Sequence, residues 1–422
     1  MGRIRLDGRG SRPNNGAVVP ARLRAAVAVI LPALLTPAAA GAVQGAPLSL
    51  RLEQALHAPN VSAAASGAAV LDLSTGRAVF THNPSLSLLP ASNEKLAVTY
   101  AALTALGPAF RIETDVLGEG RRDGTLWTGN LVLKGYGDPT LSPAGLASLA
   151  RQVRAAGITR VAGRVVGDET WFDAQRTSPG WKAAFYIEES PPLSALIVDR
   201  GRVGRWTSHN PALAAAQLFR KALVRAGVRT AGGAVLGAVA PTATILGSID
   251  SPTIAAIVDF MDHDSDNFTA EMLVKELGAV QTDRGTTAAG VGVVTGLLTQ
   301  AHVPMQGVRI VDGSGLSLLD RMTAGALVSL LSVMWNDPGV RPELLAALPV
   351  AGRSGTLAYR MRHTAATGVV RAKTGTTDNA SALSGFVGDR YAFSVLENGW
   401  PVSYSWARVA QDRFATVLAR SH

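Results

Sequence analysis

The sequence predicts an α+β fold in which an antiparallel sheet, flanked by helices, is built from both ends of the chain and interrupted by an inserted domain. Apolar stretches around Ser74-Thr75-Gly76 indicate a hairpin near the N-terminus, and a second hairpin is indicated at 382–396 around Gly388-Asp389. Between them, residues 116–248 change to Gly-rich short strands and two helices. This stretch is too long for a loop within one compact layer and long enough for a domain.

Residues 1–40 have the composition of an export signal. Six arginines precede the apolar run 25–35, which leads to the small-residue cleavage motif Ala38-Ala39-Ala40. The run is short for a membrane span, which needs about 20 residues, so a cleaved signal is favoured over a retained anchor. Removing this segment, with its six Arg and one Asp, lowers the formal net charge from +9 to +4. The protein is therefore predicted to be exported.

The composition excludes several enzyme classes. With 47% hydrophobic and 17% charged residues, the 422-residue chain is an ordinary globular sequence long enough for more than one domain. It has no cysteine, which excludes thiol hydrolases, and it contains neither His-Glu-x-x-His nor Gly-x-Ser-x-Gly. No basic run with interleaved aromatics is present, so nucleic-acid binding is not expected. No metal or cofactor is predicted.

The remaining elements follow from apolar periodicity and from Gly and Pro boundaries. Leu96 and Tyr100 recur at helical spacing after Ser92, and Gly107-Pro108 ends that helix. Later in the chain the pattern predicts strands at 126–134, 161–166 and 369–376, and helices at 144–156, 211–226, 268–277 (ended by Gly278), 323–335 and 408–418.

Three short strings supply the side chains of a serine acyl enzyme. They are Ser92-Asn93-Glu94-Lys95, Ser265-Asp266-Asn267 and Lys373-Thr374-Gly375-Thr376. At positions i and i+3 of a helix, Ser92 and Lys95 share one face, so the amine can take the hydroxyl proton during attack on a carbonyl. Only six of the 40 basic residues are lysine, and two of the six stand in these strings. An amine, unlike a guanidinium, can lose its proton near neutral pH when it is desolvated.

The second and third strings predict the substrate contacts. Ser265 can pass a proton to the leaving amine, and Asn267 can bind a substrate amide. Lys373, with the hydroxyls of Thr374 and Thr376, can receive a terminal carboxylate, while Gly375 lets a substrate backbone lie close to the strand. The backbone N–H groups of residues 92 and 376 are the predicted oxyanion donors. Taken singly, each string also fits a helix cap or a strand end; their conjunction favours catalysis.

These strings and several others resemble those of the low-molecular-mass class C penicillin-binding proteins, which are D-alanyl-D-alanine carboxypeptidases/endopeptidases. The resemblance covers about residues 50–400. It includes the segments 90–95, 137–141 and 312–317 and the triplets Leu106-Gly107-Pro108, Pro179-Gly180-Trp181, Val198-Asp199-Arg200 and Gly355-Thr356-Leu357.

The resemblance implies a penicillin-binding/serine β-lactamase-like transpeptidase core, formed by residues 41–115 and 249–422, with residues 116–248 inserted between the first two motifs. It implies an exported enzyme of peptidoglycan metabolism, in the periplasm or another extracytoplasmic cell-wall space. D-Ala-D-Ala stem peptides and penicillins would acylate Ser92, with Lys95 as base and no metal. Ser314 would complete the pocket, together with Ser265, Asn267, Lys373, Thr374, Gly375 and Thr376.

Three departures from the family pattern affect the substrate rather than the reaction. A second insert after Arg200 is largely missing, Glu188 or Glu189 stands in for an acid that often follows Pro-Gly-Trp, and Leu318 replaces a frequent Arg, with Arg321 nearby. The preferred diamino acid, the balance of carboxypeptidase and endopeptidase action and the oligomeric state stay open. So do two alternatives: a serine β-lactamase, although no Glu-x-x-x-Asn-like string lies between the first two motifs, and a catalytically silent wall-binding protein of the same fold.

Overall fold

The structure, a computed structural model, describes residues 46–422. The export signal predicted for residues 1–40 lies outside the described residues. The strands are β1 Ser66–Asp72, β2 Arg77–His82, β3 Arg111–Asp123, β4 Leu126–Gly135, β5 Arg160–Val161, β6 Val165–Asp168, β7 Arg202–Val203, β8 Trp206–Thr207, β9 Arg229–Thr230, β10 Ala234–Leu236, β11 Thr244–Thr253, β12 Val370–Thr376, β13 Ala380–Val387 and β14 Tyr391–Asn398. The helices are α1 Ala46–Leu56, α2 Lys95–Ala105, α3 Pro143–Ala155, α4 Phe185–Glu188, α5 Pro211–Arg225, α6 Ile254–His263, α7 Asn267–Thr282, α8 Thr287–Gln300, α9 Ala324–Asn336, α10 Arg341–Ala347 and α11 Tyr404–Ala419.

The first sheet joins the two ends of the chain. Its strand order is β12-β13-β14-β1-β2, and every neighbouring pair is antiparallel. Both predicted hairpins are present, as β1–β2 and β13–β14, and the pairing of β1 with β14 joins them into one sheet. The predicted α+β class with an antiparallel sheet flanked by helices is therefore confirmed. Strand β12, which carries the third motif, lies at one edge of the sheet.

Alternating side chains of the first sheet pack against helices on both faces. Phe386 and Leu396 contact the core formed with α2, α7 and α9, whereas Phe393 belongs to the core formed with α1 and α11. Phe414 of α11 is fully buried and meets Phe80 edge-on, with 5.6 Å between ring centroids. Burial of such a side chain contributes about 1.5–3 kcal/mol. This double coverage fixes the sheet against α2, which begins beside the first motif.

A second sheet takes its strands from residues 111–253. Its main order is β10-β6-β4-β3-β11, and β5 and β9 extend it beside β4. Helices α3 and α5 cover one face around Trp127, Leu131 and Phe219. The predicted limits of an inserted domain, 116 and 248, stay a prediction. After Arg200 the chain forms only the short β7–β8 hairpin before α5 begins.

Residues 171–200 contact α7 and the residue that precedes it. Lys275 of α7 pairs with Asp173, and the Trp171 indole N–H donates to Glu276 Oε2 over 2.8 Å. Arg200 makes an ion pair with Asp266, immediately before α7. The segment around residues 171–200 therefore forms one wall beside the second motif.

Several sequence-predicted boundaries are wrong. Gly278 does not end its helix, because α7 continues to Thr282 and ends at Asp283, where φ is +55°. A Cβ on Gly278 would lie 2.6 Å from the Arg284 carbonyl oxygen and 2.8 Å from the Gly290 nitrogen, so this glycine allows close packing against α8. The strand predicted at 161–166 is divided into β5 and β6. No helix within residues 46–422 combines the length and apolarity needed to cross a bilayer.

Candidate active site

Ser92 lies in the 3₁₀ turn Ala91–Glu94 that leads directly into α2. Ala91 adopts φ +47°, a left-handed conformation that is uncommon outside glycine. The Asn93 amide donates to the Lys373 carbonyl oxygen over 3.1 Å, which ties the turn to β12. Lys95 is the first residue of α2, and its Nζ lies 3.0 Å from Ser92 Oγ. Ser92 therefore faces Lys95 and does not cap the helix.

The Lys95 amine is surrounded by acceptors. Nζ donates to Asn267 Oδ1 over 2.8 Å and to the Ser314 carbonyl oxygen over 2.7 Å, in addition to its contact with Ser92. A neutral amine has two N–H donors, which match the two carbonyl oxygens and leave its lone pair for the serine hydroxyl. Burial lowers the pKa of Lys95 to about 8, and nearby acids led by Asp312 oppose that shift. The arrangement suits a general base.

The second serine lies beside the second lysine. Ser265 adopts φ +61° just before α7, and Lys373 Nζ donates to its Oγ over 2.7 Å and to the Thr374 carbonyl oxygen over 3.1 Å. The Lys373 side chain is fully buried. Burial and then the neighbouring charge of Lys95 lower the pKa of Lys373 to about 7. This lysine therefore contacts Ser265 and presents no exposed ammonium to a ligand.

The three residues of the Ser-Asp-Asn string have different roles, because one caps a helix and the other two face the site. Asp266 is the N-cap of α7, accepting from the Thr269 N–H over 2.8 Å. Burial alone would raise the pKa of Asp266, but its bonds to Arg200 and Thr269 hold that pKa below its usual range. Asn267 turns its oxygen to Lys95, and its nitrogen donates to the main chain of Glu189 over 3.2 Å. The capping explanation thus applies to Asp266, whereas its two neighbours face the site.

Glu271 positions the loop that supplies the Ser314 carbonyl. Its Oε1 accepts from the N–H groups of Gly313 and Ser314, over 3.0 and 2.8 Å. Burial raises the pKa of Glu271 to about 7. The Ser314 hydroxyl itself is buried and donates to Asp312 Oδ2 over 3.2 Å. The structure therefore brings the main chain of Ser314, rather than its side chain, to Lys95.

A second carboxylate completes this loop. Asp312 accepts from the N–H groups of Gly315 and Ser317 over 2.7 and 2.8 Å, and from the Trp181 indole over 2.8 Å. Glu94 lies nearby and is fully buried; burial and then Asp312 raise its pKa well above the usual value. A raised pKa weakens the tendency of Glu94 to hold Lys95 in the ammonium form. Sequence reasoning missed Glu94 and Glu271, for which the only signal was a carboxyl in an apolar helical pattern.

Gly375 packs closely against the turn that carries Ser92. A Cβ at this position would lie 3.0 Å from both the Pro90 carbonyl oxygen and the Ala91 Cβ, and 3.1 Å from the Ser92 nitrogen. The missing side chain therefore makes room for the turn that carries the nucleophile. The expectation that Gly375 lets a substrate backbone lie close to the strand stays a prediction.

A cleft of about 430 Å³ joins the motif residues. Thr374 Oγ1 donates to Thr356 Oγ1 over 2.8 Å, and the Arg408 guanidinium donates to Thr376 Oγ1 over 3.3 Å. Arg321 bonds to main-chain carbonyls of its own loop. The cleft is lined by Ser92, Glu189, Ser265, Asn267, Leu316, Thr356, Tyr359, Arg360, Thr374, Thr376 and Arg408. Within residues 46–422, no group of three or more His, Cys, Asp or Glu residues is arranged to hold a metal ion.

A serine beside a desolvated lysine, a second serine–lysine pair and an edge strand of an antiparallel sheet define a serine acyl enzyme with the penicillin-binding and β-lactamase-like fold. A sequence profile of the D-Ala-D-Ala carboxypeptidase 3 (S13) family matches residues 48–207 and 204–421. The chain belongs to this family.

Individual relatives agree with the family assignment. A D-alanyl-D-alanine carboxypeptidase of Actinomadura sp. (strain R39) is 33% identical, over 94% of this chain and 90% of that protein. Among solved structures, penicillin-binding protein 4 of Haemophilus influenzae is similar with a TM-score of 0.78 and 21% identity, covering 88% of this chain and 98% of that one. A predatory endopeptidase of Bdellovibrio bacteriovorus, acylated by penicillin G, has a TM-score of 0.55 and 17% identity, covering 84% and 91%. These two likenesses concern the fold.

Proposed function

We propose that this protein is a serine-type D-Ala-D-Ala carboxypeptidase that acts on peptidoglycan stem peptides through an acyl enzyme at Ser92. The observation that carries the proposal is the contact of 3.0 Å between Ser92 Oγ and the buried amine of Lys95, whose other acceptors are two carbonyl oxygens. Family membership supports the substrate, since the matched relative is itself named a D-alanyl-D-alanine carboxypeptidase.

Acylation begins when neutral Lys95 takes the Ser92 hydroxyl proton and Ser92 Oγ attacks the carbonyl carbon of the penultimate D-Ala. The tetrahedral oxyanion accepts from the backbone N–H groups of residues 92 and 376. Ser265, whose oxygen contacts Lys373 over 2.7 Å, delivers a proton to the leaving nitrogen. The C–N bond breaks, free D-Ala departs, and an ester joins the remaining peptide to Ser92.

Deacylation reverses the proton path with water as the nucleophile. Lys95 becomes neutral again when its extra proton replaces the one that Ser265 gave to the leaving nitrogen. Neutral Lys95 then takes a proton from water as the water attacks the ester carbonyl, and the Ser92 oxygen recovers that proton as it leaves. Asn267 has both its oxygen and its nitrogen engaged, with Lys95 and with Glu189. It therefore orients the base during both half-reactions and lies in the cleft beside the acyl group.

β-Lactams act on this enzyme as covalent inhibitors, because opening of their strained amide forms the same Ser92 ester. The penicillin G-acylated Bdellovibrio endopeptidase supports this inference by fold, and also supports cross-link cleavage as a second activity. A β-lactamase would release the penicillin acid rapidly. A silent wall-binding protein would bind stem peptides without releasing D-Ala. The contact between Ser92 and Lys95 favours an acylating enzyme over the silent protein, and membership of a carboxypeptidase family favours the peptidase over the β-lactamase.

The proposed enzyme works in an extracytoplasmic cell-wall space, which requires export directed by residues 1–40. The composition of that segment supports this location. Separating cells that express the full chain into compartments, with N-terminal sequencing of the product, tests it. An intact N-terminus in the cytoplasm contradicts the proposal.

A single pair of variants tests the reaction. Ser92→Ala is expected to abolish both D-Ala release from stem peptides, followed by mass spectrometry, and labelling by fluorescent penicillin. Ser85→Ala, which changes an exposed serine in the preceding loop, is the matched control and is expected to retain both. Covalent labelling of the Ser92→Ala protein would overturn the nucleophile assignment. Rapid turnover of penicillin by the unmodified protein would instead favour the β-lactamase.

A further inference from the structure

The third motif was expected to present a cation to the substrate carboxylate, but the buried Lys373 is not placed to do so alone. Its Nζ is used by Ser265 and by the Thr374 carbonyl oxygen. Arg360 also lines the cleft, yet Asp412 already neutralises it through bonds of 2.9 and 2.7 Å. The other cation among the residues that line this cleft is Arg408.

Arg408 is an exposed cation at the required place. It belongs to α11, far from the motifs in sequence, and its guanidinium donates to Thr376 Oγ1 over 3.3 Å while lining the same cleft as Ser92. The ring centroid of Tyr404, one turn earlier on α11, lies 5.3 Å from the guanidinium carbon of Arg408, so the two side chains form a cation–π contact. Within residues 46–422, no Asp or Glu oxygen forms an ion pair with Arg408.

We propose that Arg408 binds the terminal carboxylate of the acyl donor, together with the hydroxyls of Thr374 and Thr376, and thereby positions the scissile carbonyl at Ser92. The inference rests on the proposed peptidase function and adds a residue outside the three motifs. A guanidinium suits this task because its donors match both oxygens of a carboxylate. The lowered pKa of Lys373, about 7 through burial and then Lys95, agrees with a second cation being needed.

The test compares two substrates that differ only in the carboxylate. A peptide ending in D-Ala-D-Ala and its C-terminal amide are hydrolysed by the unmodified protein and by Arg408→Ala, with release of D-Ala or its amide measured by mass spectrometry. Arg408→Ala is expected to lower kcat/KM for the free acid about 10- to 100-fold, the size expected for a hydrogen bond to a charged group, chiefly through KM. The amide is expected to change less than about twofold, because it carries no charge to bind.

Arg413→Ala is the matched control, since Arg413 is also exposed on α11 but does not line the cleft. It is expected to leave both substrates unchanged. Equal losses for acid and amide in Arg408→Ala, or no loss for the acid, would overturn the inference. Equal losses would indicate that Arg408 only supports the fold near Thr376.

A second reaction separates this inference from the proposed function. If the unmodified protein hydrolyses neither peptide, the peptidase proposal fails. The acylation rates with a penicillin and with its methyl ester then decide the role of Arg408. If Arg408→Ala is acylated more slowly than the unmodified protein by the penicillin free acid but not by the methyl ester, carboxylate binding is supported. If the substitution changes the acylation rate equally for both compounds, or for neither, carboxylate binding is refuted. Absence of both hydrolysis and acylation overturns both proposals.

Discussion

Replacement of Lys95 by Arg keeps a positive charge next to Ser92 but removes a group that can lose its proton. With a pKa of about 8, about one tenth of Lys95 is neutral at pH 7, whereas an ordinary lysine is only about 0.04% neutral. Burial therefore raises the population of the active base roughly 200-fold. Arginine has almost no neutral form at this pH, so acylation is expected to fall by about 10²–10⁴, the usual contribution of a general base.

The acylation rate of the unmodified protein is expected to depend on pH. Lys95 is active when deprotonated, so the acylation rate should rise with pH, about tenfold per unit below the pKa of about 8, and then level off. The Arg variant keeps Lys373, so any effect of that titration persists in both proteins. Only the rise due to Lys95 should disappear.

The assay is stopped-flow or gel-based measurement of the second-order rate constant for fluorescent penicillin between pH 5.5 and about 9.5, a range that brackets the predicted titration. Lys221→Arg, at an exposed position of α5, is the matched control and should acylate at the unmodified rate. Circular dichroism checks that the Lys95→Arg protein is folded. Acylation of that folded variant at the unmodified rate, or a flat profile for the unmodified protein, would refute the base assignment.

Three further predictions concern the packing around the site. Gly375→Ala should slow penicillin acylation and lower the free energy of unfolding by about 1–3 kcal/mol, because its Cβ would meet the Ser92 turn at 3.0 Å; Gly292→Ala, where a Cβ has nothing within 4 Å, is its control and should slow nothing. Asp266→Ala removes the N-cap of α7 and the partner of Arg200, so urea unfolding should show a loss of about 1–3 kcal/mol, and an unchanged midpoint would contradict this account. Phe414→Ala, which empties a fully buried ring site, should cost about 3–5 kcal/mol by the same measurement, and a loss below about 1 kcal/mol would show that the core repacks.

Local patterns predicted much of the fold. Both hairpins, the helix after Ser92 and the helices of residues 143–155 and 211–225 follow from periodicity and turn residues, which act over a few neighbours. The error at Gly278 has a cause outside its own helix. The atoms that a side chain at this position would meet belong to the following loop and to α8. Helices α6 and α8 were not predicted. Their apolar faces are explained by packing against α2 and α7, which only the folded chain provides.

The chemistry of the motifs was determined by the sequence itself. Serine and lysine at i and i+3 are brought together by helix geometry alone, and the choice of lysine over arginine reflects an intrinsic difference in acidity. The order of the three strings and the likeness across the chain indicated the class of enzyme before any contact was known.

Tertiary structure decided how those groups are arranged and charged. The carbonyl oxygens that accept hydrogen bonds from Lys95 come from residues 172 and 219 positions away, and the exposed cation of the cleft, Arg408, comes from a helix with no motif. The pKa of Lys95 is about 8 because folding removes water from the amine, not because of its neighbours in the sequence. Desolvation and contacts between distant segments depend on the packed chain, so a linear pattern specifies the reacting groups while the fold specifies their protonation and their partners.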